Sequence, residues 1–230
     1  MSNQVKERFT RRSPLVLSFG FLCLLFLCPA TTAQADEIAI WNFNDSDLIV
    51  DRGAGLLTTN FNLTNVAFAA GTATNARQGD VAGQALSLQA GTGNGNNGRN
   101  ITLSVSTVGF SAIIISFATQ GTSTGFNSNQ FQYSLDGMTF VDFLSPYAPA
   151  STFGTVPLVF DLSAISGLDN NPNAAFRIVF GGATSATGNN RIDNLVMGGT
   201  TTTVPEPASV LLFGSGLTTV FALRRRRGWS

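Results

Sequence analysis

The chain contains no histidine, and its two cysteines, Cys23 and Cys28, both fall in one leading apolar run. Beyond that run there is neither thiol nor imidazole, which removes disulfides, cysteine and serine–histidine nucleophiles and histidine-ligated metals. Lysine is nearly absent: Lys6, Arg8, Arg11 and Arg12 precede the apolar run, and Arg224, Arg225, Arg226 and Arg227 close the chain. Between residues 36 and 203 only five arginines, Arg52, Arg77, Arg99, Arg177 and Arg191, stand against eleven acids, so the zero formal charge of the whole hides an acidic body. A body without a basic patch cannot supply the counterion-releasing contacts that dominate nucleic-acid affinity, which excludes nucleic acid as a partner. Charged residues are 11% of the chain, few for a globular protein. Solubility must come from hydroxyls and amides, a balance commoner on cell surfaces than in cytoplasm.

What is present is organised by the two ends. Residues 5–12 are basic, residues 14–28 are nearly all apolar, and Ala33-Gln34-Ala35 sets small residues at both positions read by a signal peptidase. Residues 1–35 are therefore expected to be a secretory signal helix cleaved at Ala33 and Ala35. At the other end a linker, 200–207, contains Val204-Pro205-Glu206-Pro207 and leads to an apolar stretch, 208–223, and a basic tail, 224–230. As a helix, that stretch spans about 24 Å against a hydrocarbon core of about 30 Å, a marginal transmembrane helix with a firm arginine stop. Basic residues before the signal and after the span both belong on the cytoplasmic side, so the body lies across the inner membrane, anchored as a precursor until it is cut.

Pro205-Glu206-Pro207, an apolar helix containing Gly214 and Gly216, and Arg224 to Arg227 together resemble the PEP-CTERM sorting signal. The resemblance covers about 25 residues and implies recognition by an exosortase, a membrane transpeptidase-like enzyme, with transient residence in the inner membrane. Delivery to the cell surface or extracellular matrix, where exopolysaccharide and biofilm are built, is implied with it. A plain tail anchor with a rigid proline linker remains the alternative, since Pro205 and Pro207 also hold that stretch extended.

The body, 36–199, alternates at period two and offers no useful amphipathic helix. Strands are expected over 37–43, 63–69, 84–88, 101–107, 111–119, 129–135, 138–144, 156–162, 175–180 and 191–197, separated by Gly, Asn and Ser clusters. This predicts an all-β, two-sheet β-sandwich of jelly-roll or lectin-like type. Ile113-Ile114-Ile115 breaks alternation and predicts a central strand covered on both sides. Asp136-Gly137 predicts a two-residue type I′ hairpin in which Tyr133 faces Phe140 and Asp142 falls on the apolar face of Phe131, so that either the strand has left the core by Asp142 or Asp142 has a partner. Trp41-Asn42-Phe43, the stretch from Asp161 to Ile178, and Asn190-Arg191-Ile192-Asp193-Asn194-Leu195 are similar to jelly-roll domains of anchored bacterial surface proteins. Fold alone does not carry function.

Several sites attract attention. Gly93 to Gly98 matches GxGxxG but lies between strands, with no helix to hold a pyrophosphate. Gly121-Thr-Ser123-Thr-Gly125 matches a nucleophile elbow, yet Ser123 has no histidine base. Glu37 is the only glutamate of the body and no carboxylate pair is marked out for glycoside hydrolysis, so a non-enzymatic protein is expected. Asp45, Asp47 and Asp51 crowd the end of the first strand and Asp193 lies in the last. The jelly-roll resemblance implies a structural calcium joining those strands, held by Asp45, Asp47 and Asp193; otherwise Asp45 and Asp47 are turn residues and Asp193 pairs with Arg191 or Arg177. A calcium-dependent carbohydrate-binding module is the alternative function, with Tyr147 the one aromatic expected to be exposed.

Overall fold

Alternation at period two becomes twelve strands in the computed structural model, which describes residues 36–202 with Gln78 excepted. Ala33, Ala35, Pro205, Glu206, Pro207, the apolar stretch and Arg224 to Arg227 lie outside the described residues. The strands are β1 (Asp36–Trp41), β2 (Arg52–Gly53), β3 (Leu56–Thr59), β4 (Val66–Ala70), β5 (Gln84–Gln89), β6 (Asn100–Ser104), β7 (Phe110–Gly121), β8 (Gln130–Ser134), β9 (Val141–Asp142), β10 (Leu158–Asp161), β11 (Ala175–Val179) and β12 (Asn189–Thr201). They form two sheets, a larger one in the order β10-β7-β12-β1-β2 with β5 paired to β12 and β4 to β5, and a five-stranded one in the order β3-β6-β11-β8-β9.

Each sheet turns one set of alternate residues inward. Trp41, Phe117, Phe131, Phe160, Phe176, Leu103 and Ile178 are buried in one core between the sheets. Phe131 of the smaller sheet stacks on Phe160 of the larger with ring centroids 4.0 Å apart, locking the two layers together. Trp41 is fully buried and satisfies its indole by donating from Nε1 to the carbonyl of Leu48. Ile113 and Ile115 face this core and β7 is flanked by β10 and β12, while Ile114 is only partly covered on the other face.

β12 organises the larger sheet. One side of it pairs with β7; the other pairs first with β5, through residues 189–192, and then with β1, through residues 195–199. A bulge between Asp193 and Val196, with Asn194 at φ 49°, makes this change of partner. The strand runs on to Thr201, so Thr200 and Thr201, which the sequence assigns to the linker, are strand.

Two corrections concern short elements. β2 and β3 are too short to show a period, and Gly53 at φ 77° is what admits β2: a Cβ there would collide with the Ile38 carbonyl oxygen. In the hairpin, Gln132 pairs with Asp142 and Tyr133 with Val141, one residue out of the predicted type I′ register. Gly137 has positive φ and Asp136 does not. The Asp136 carboxylate instead gathers the N–H groups of Met138 and Thr139 and the Ser134 hydroxyl into a wider turn. A one-residue slip exchanges faces, so Asp142 leaves the apolar side for the outer one.

Candidate binding face

That slip completes a polar line on the outer face of the smaller sheet. Thr58, Thr102, Arg177, Gln132 and Asp142 stand directly opposite one another across all five strands of the smaller sheet, forming one line on its outer face. Parallel to it run Leu56, Ser104, Ala175 and Ser134, and on the other side Asn100, Val179 and Gln130. Arg177 is clamped: its Nε donates to Gln132 Oε1 at 2.7 Å and its guanidinium carbon sits 3.8 Å from the centroid of the Phe140 ring. Gln132 in turn donates from Nε2 to Asp142 Oδ1 at 2.6 Å. The two Nη groups have no hydrogen-bond partner among the described residues. Partial burial lowers the pKa of Arg177, opposed by the Asp142 charge, but a guanidinium stays protonated. The line thus presents a fixed fork of donors, a carboxylate acceptor one residue further along it beyond Gln132, and the two threonines Thr58 and Thr102 on the other side. Next to it, Ser104, Ser106, Asp136, Asn173 and Ala175 border a cavity of about 290 Å³.

The sequence-predicted residues lie elsewhere. Asp47 is a turn residue, its carboxylate accepting from the Ile49 N–H at 2.8 Å. Asp51 accepts from the Asn42 N–H, and its pKa is raised by burial and then by the neighbouring charges of Asp45, Asp47 and Asp80. Asp80 is itself paired with Arg52 at 2.6 Å. Asp193 is 1% exposed and does not join them. Its two oxygens accept from the backbone N–H groups of Thr72 and Asn194, and burial pushes its pKa up to about 6. Asn194 donates to the carbonyls of Thr72 and Thr74, and Asn75 donates to the Asn194 carbonyl and to Ser116. Asp193 and Asn194 therefore fasten the segment after β4 over the outer face of the larger sheet. Among the described residues no three of Asp, Glu, His and Cys group closely enough to hold a metal ion. Asp45, Asp47 and Asp193 are thus not brought together, and Asp193 pairs with neither arginine.

Tyr147 is not an exposed platform. Its ring packs against Phe117 and Phe160, burial drives its hydroxyl pKa upward, and that hydroxyl has no partner among the described residues. Residues 93–98 form a loop between β5 and β6, and Ser123 sits in the turn between β7 and β8. Arg177, Gln132, Phe140 and Asp142 are legible in the sequence only in part: Gln130 and Gln132 alternate with Phe131 and Tyr133, which marks an outward polar row, but the line depends on the hairpin register.

With this geometry in place, comparison with known proteins adds one firm element. The PEP-CTERM protein-sorting motif matches residues 203–227, starting directly after Thr202, and marks an exported protein. No curated protein matches the chain. Among solved structures, the xylan-binding CBM22-1 domain of Xyn10C from Paenibacillus barcinonensis is similar at 10% identity and a TM-score of 0.44, over 75% of this chain and 99% of that one. Domain 4 of AbnA, an extracellular arabinanase from Geobacillus stearothermophilus in complex with arabinotriose, is similar at 13% identity and 0.41, over 74% and 95%. TmCBM61 in complex with beta-1,4-galactotriose is similar at 12% and 0.40, over 68% and 92%. At these values they say nothing of what this chain binds.

Proposed function

We propose that this is a non-enzymatic protein of the cell surface or extracellular matrix, sorted by exosortase and retained there by binding neutral, hydroxyl-rich exopolysaccharide on the outer face of the five-stranded sheet. The observation that carries the proposal is the clamped Arg177, whose free Nη donors share one line with the Asp142 carboxylate, linked to it through Gln132, and with Thr58 and Thr102. A sugar hydroxyl both donates and accepts, so it is matched by a fixed donor and a fixed acceptor on one line. A polyanion is not: the Asp142 charge acts on Arg177, the one cation of this line, and the body is acidic. The body has no imidazole or thiol, and none of its carboxylates is marked out as a catalytic pair, which supports binding over catalysis.

Affinity electrophoresis in gels containing exopolysaccharide purified from the producing cells tests this. Losing one charged hydrogen-bonding group costs about 1.5–3 kcal/mol, so Arg177→Ala should weaken retention by roughly tenfold to a hundredfold, while a change at Leu63 at the other end of the body should not. Equal retention of the wild type and Arg177→Ala would reject the face as the binding site.

A further inference from the structure

The two ends of the folded body leave it side by side. Asp36, the first residue of β1, pairs with Gly199 of β12, and the Thr201 hydroxyl donates to the Asp36 carboxylate at 2.9 Å. The last backbone hydrogen bond of β12 is given by Thr202 to the carbonyl of Gly109. The same end is closed by loops knitted to one another. Gly109 N–H donates to the Asn170 side chain, Ala112 N–H to Asp169, and Asn171 Nδ2 to the carbonyls of Leu135 and Gly167. Val108 and Met138 project from these loops, 53% and 85% exposed.

From Thr202, the last residue held by the sheet, to Pro205 is three peptide units, at most about 11 Å of chain. A peptidase binds its substrate extended over several residues, so any enzyme gripping Pro205-Glu206-Pro207 must meet this end of the folded body. We propose that the end formed by residues 105–109, 135–138 and 169–173 beside Thr202 is the docking surface for the extracytoplasmic face of the sorting peptidase. The proposal rests on exosortase processing as inferred above. Charge sets the chemistry of the partner: Asp136 and Asp169 lie in these segments and Asp36 and Asp161 beside them, while Arg77, which reaches this end, is paired with Glu37 at 3.6 Å. Hydrogen bonds from Thr139 and Met138 keep the Asp136 carboxyl, and from Ser163 the Asp161 carboxyl, below the usual range, so both remain ionised. An acidic surface is repelled by anionic lipid and suits a basic protein face.

The test uses the full-length precursor in cells making the cognate exosortase, with a photo-reactive residue at Val108, at Met138, or at Leu63 of the opposite end. Cross-links to exosortase, identified by antibody and mass, are expected from Val108 and Met138 and not from Leu63. A flexible Gly-Ser insert of about twelve residues between Thr202 and Thr203 should cut those cross-links by roughly tenfold, as the tethered concentration falls, while cleavage continues. Cleavage with equal cross-linking from both ends, or with none from Val108 and Met138, overturns the docking surface alone. Full-length mass through Ser230 in the wild type overturns the sorting inference and the docking surface with it.

Discussion

Asp193 shows how far a residue type can be read without its neighbours. In sequence it is one more carboxylate, open to a metal or to an arginine; in the fold it is buried and used as an acceptor for two backbone N–H groups. Those bonds favour the ionised form, but desolvation outweighs them and the pKa rises to about 6. An aspartate in the unfolded chain titrates near 4, so the native state binds this proton more tightly than the unfolded state. Its contribution is most favourable below about pH 4 and is lost as pH rises through about 6, a difference of roughly 3 kcal/mol. Urea melts of wild type and Asp193→Asn between pH 4 and pH 7.5 separate this group from the other carboxylates. The wild type should weaken over that interval by more than the variant does; parallel profiles would show that Asp193 does not titrate there. Tyr147 carries the same lesson from the other side. Two flanking prolines point to an exposed loop, yet the ring packs on Phe117 and Phe160, a long-range contact that spacing along the chain does not encode.

At the scale of elements, legibility tracks length. The long strands carry enough alternation to declare themselves, and nine of the ten expected segments begin or end within a few residues of β1 and β4 to β8 and β10 to β12. β9 shrinks to two residues because the Asp136 turn takes up the chain before it. The outer line of the smaller sheet depends on this turn, and Asp-Gly alone is a misleading signal because only Gly137 takes positive φ. β2 has two residues and no pattern, but its existence rests on one identifiable position. Gly53→Ala would force a left-handed residue and drive a methyl into the Ile38 carbonyl, so it should cost at least about 2 kcal/mol. A thermal melt of the body distinguishes this from an ordinary surface glycine, whose replacement should leave the midpoint nearly unchanged.

For the whole molecule, alternation defines the class of fold but not the order of strands, because pairing between β1 and β12 joins residues as distant as Asp36 and Gly199. Such non-local closure has a consequence for export. β12 supplies the partner for β1, for most of β7 and for β5, so the sheet cannot be completed until the chain has crossed the membrane almost to the sorting motif. Loop-closure entropy must be met before these contacts form, which makes folding slow and places it late. A body ending at residue 202 should fold cooperatively on its own. One ending at residue 194 should not, since β1 then loses every partner residue from Leu195 to Gly199 and its buried Trp41 loses the strand beside it. Far-UV circular dichroism with limited proteolysis distinguishes them: a cooperative melt for the shorter chain would show that β12 completes a sheet already stable without its second half. If the shorter chain stays unfolded, the sandwich becomes protease-resistant only when residues adjoining Pro205-Glu206-Pro207 are already in place, so folding and exposure of the sorting motif are one event in time.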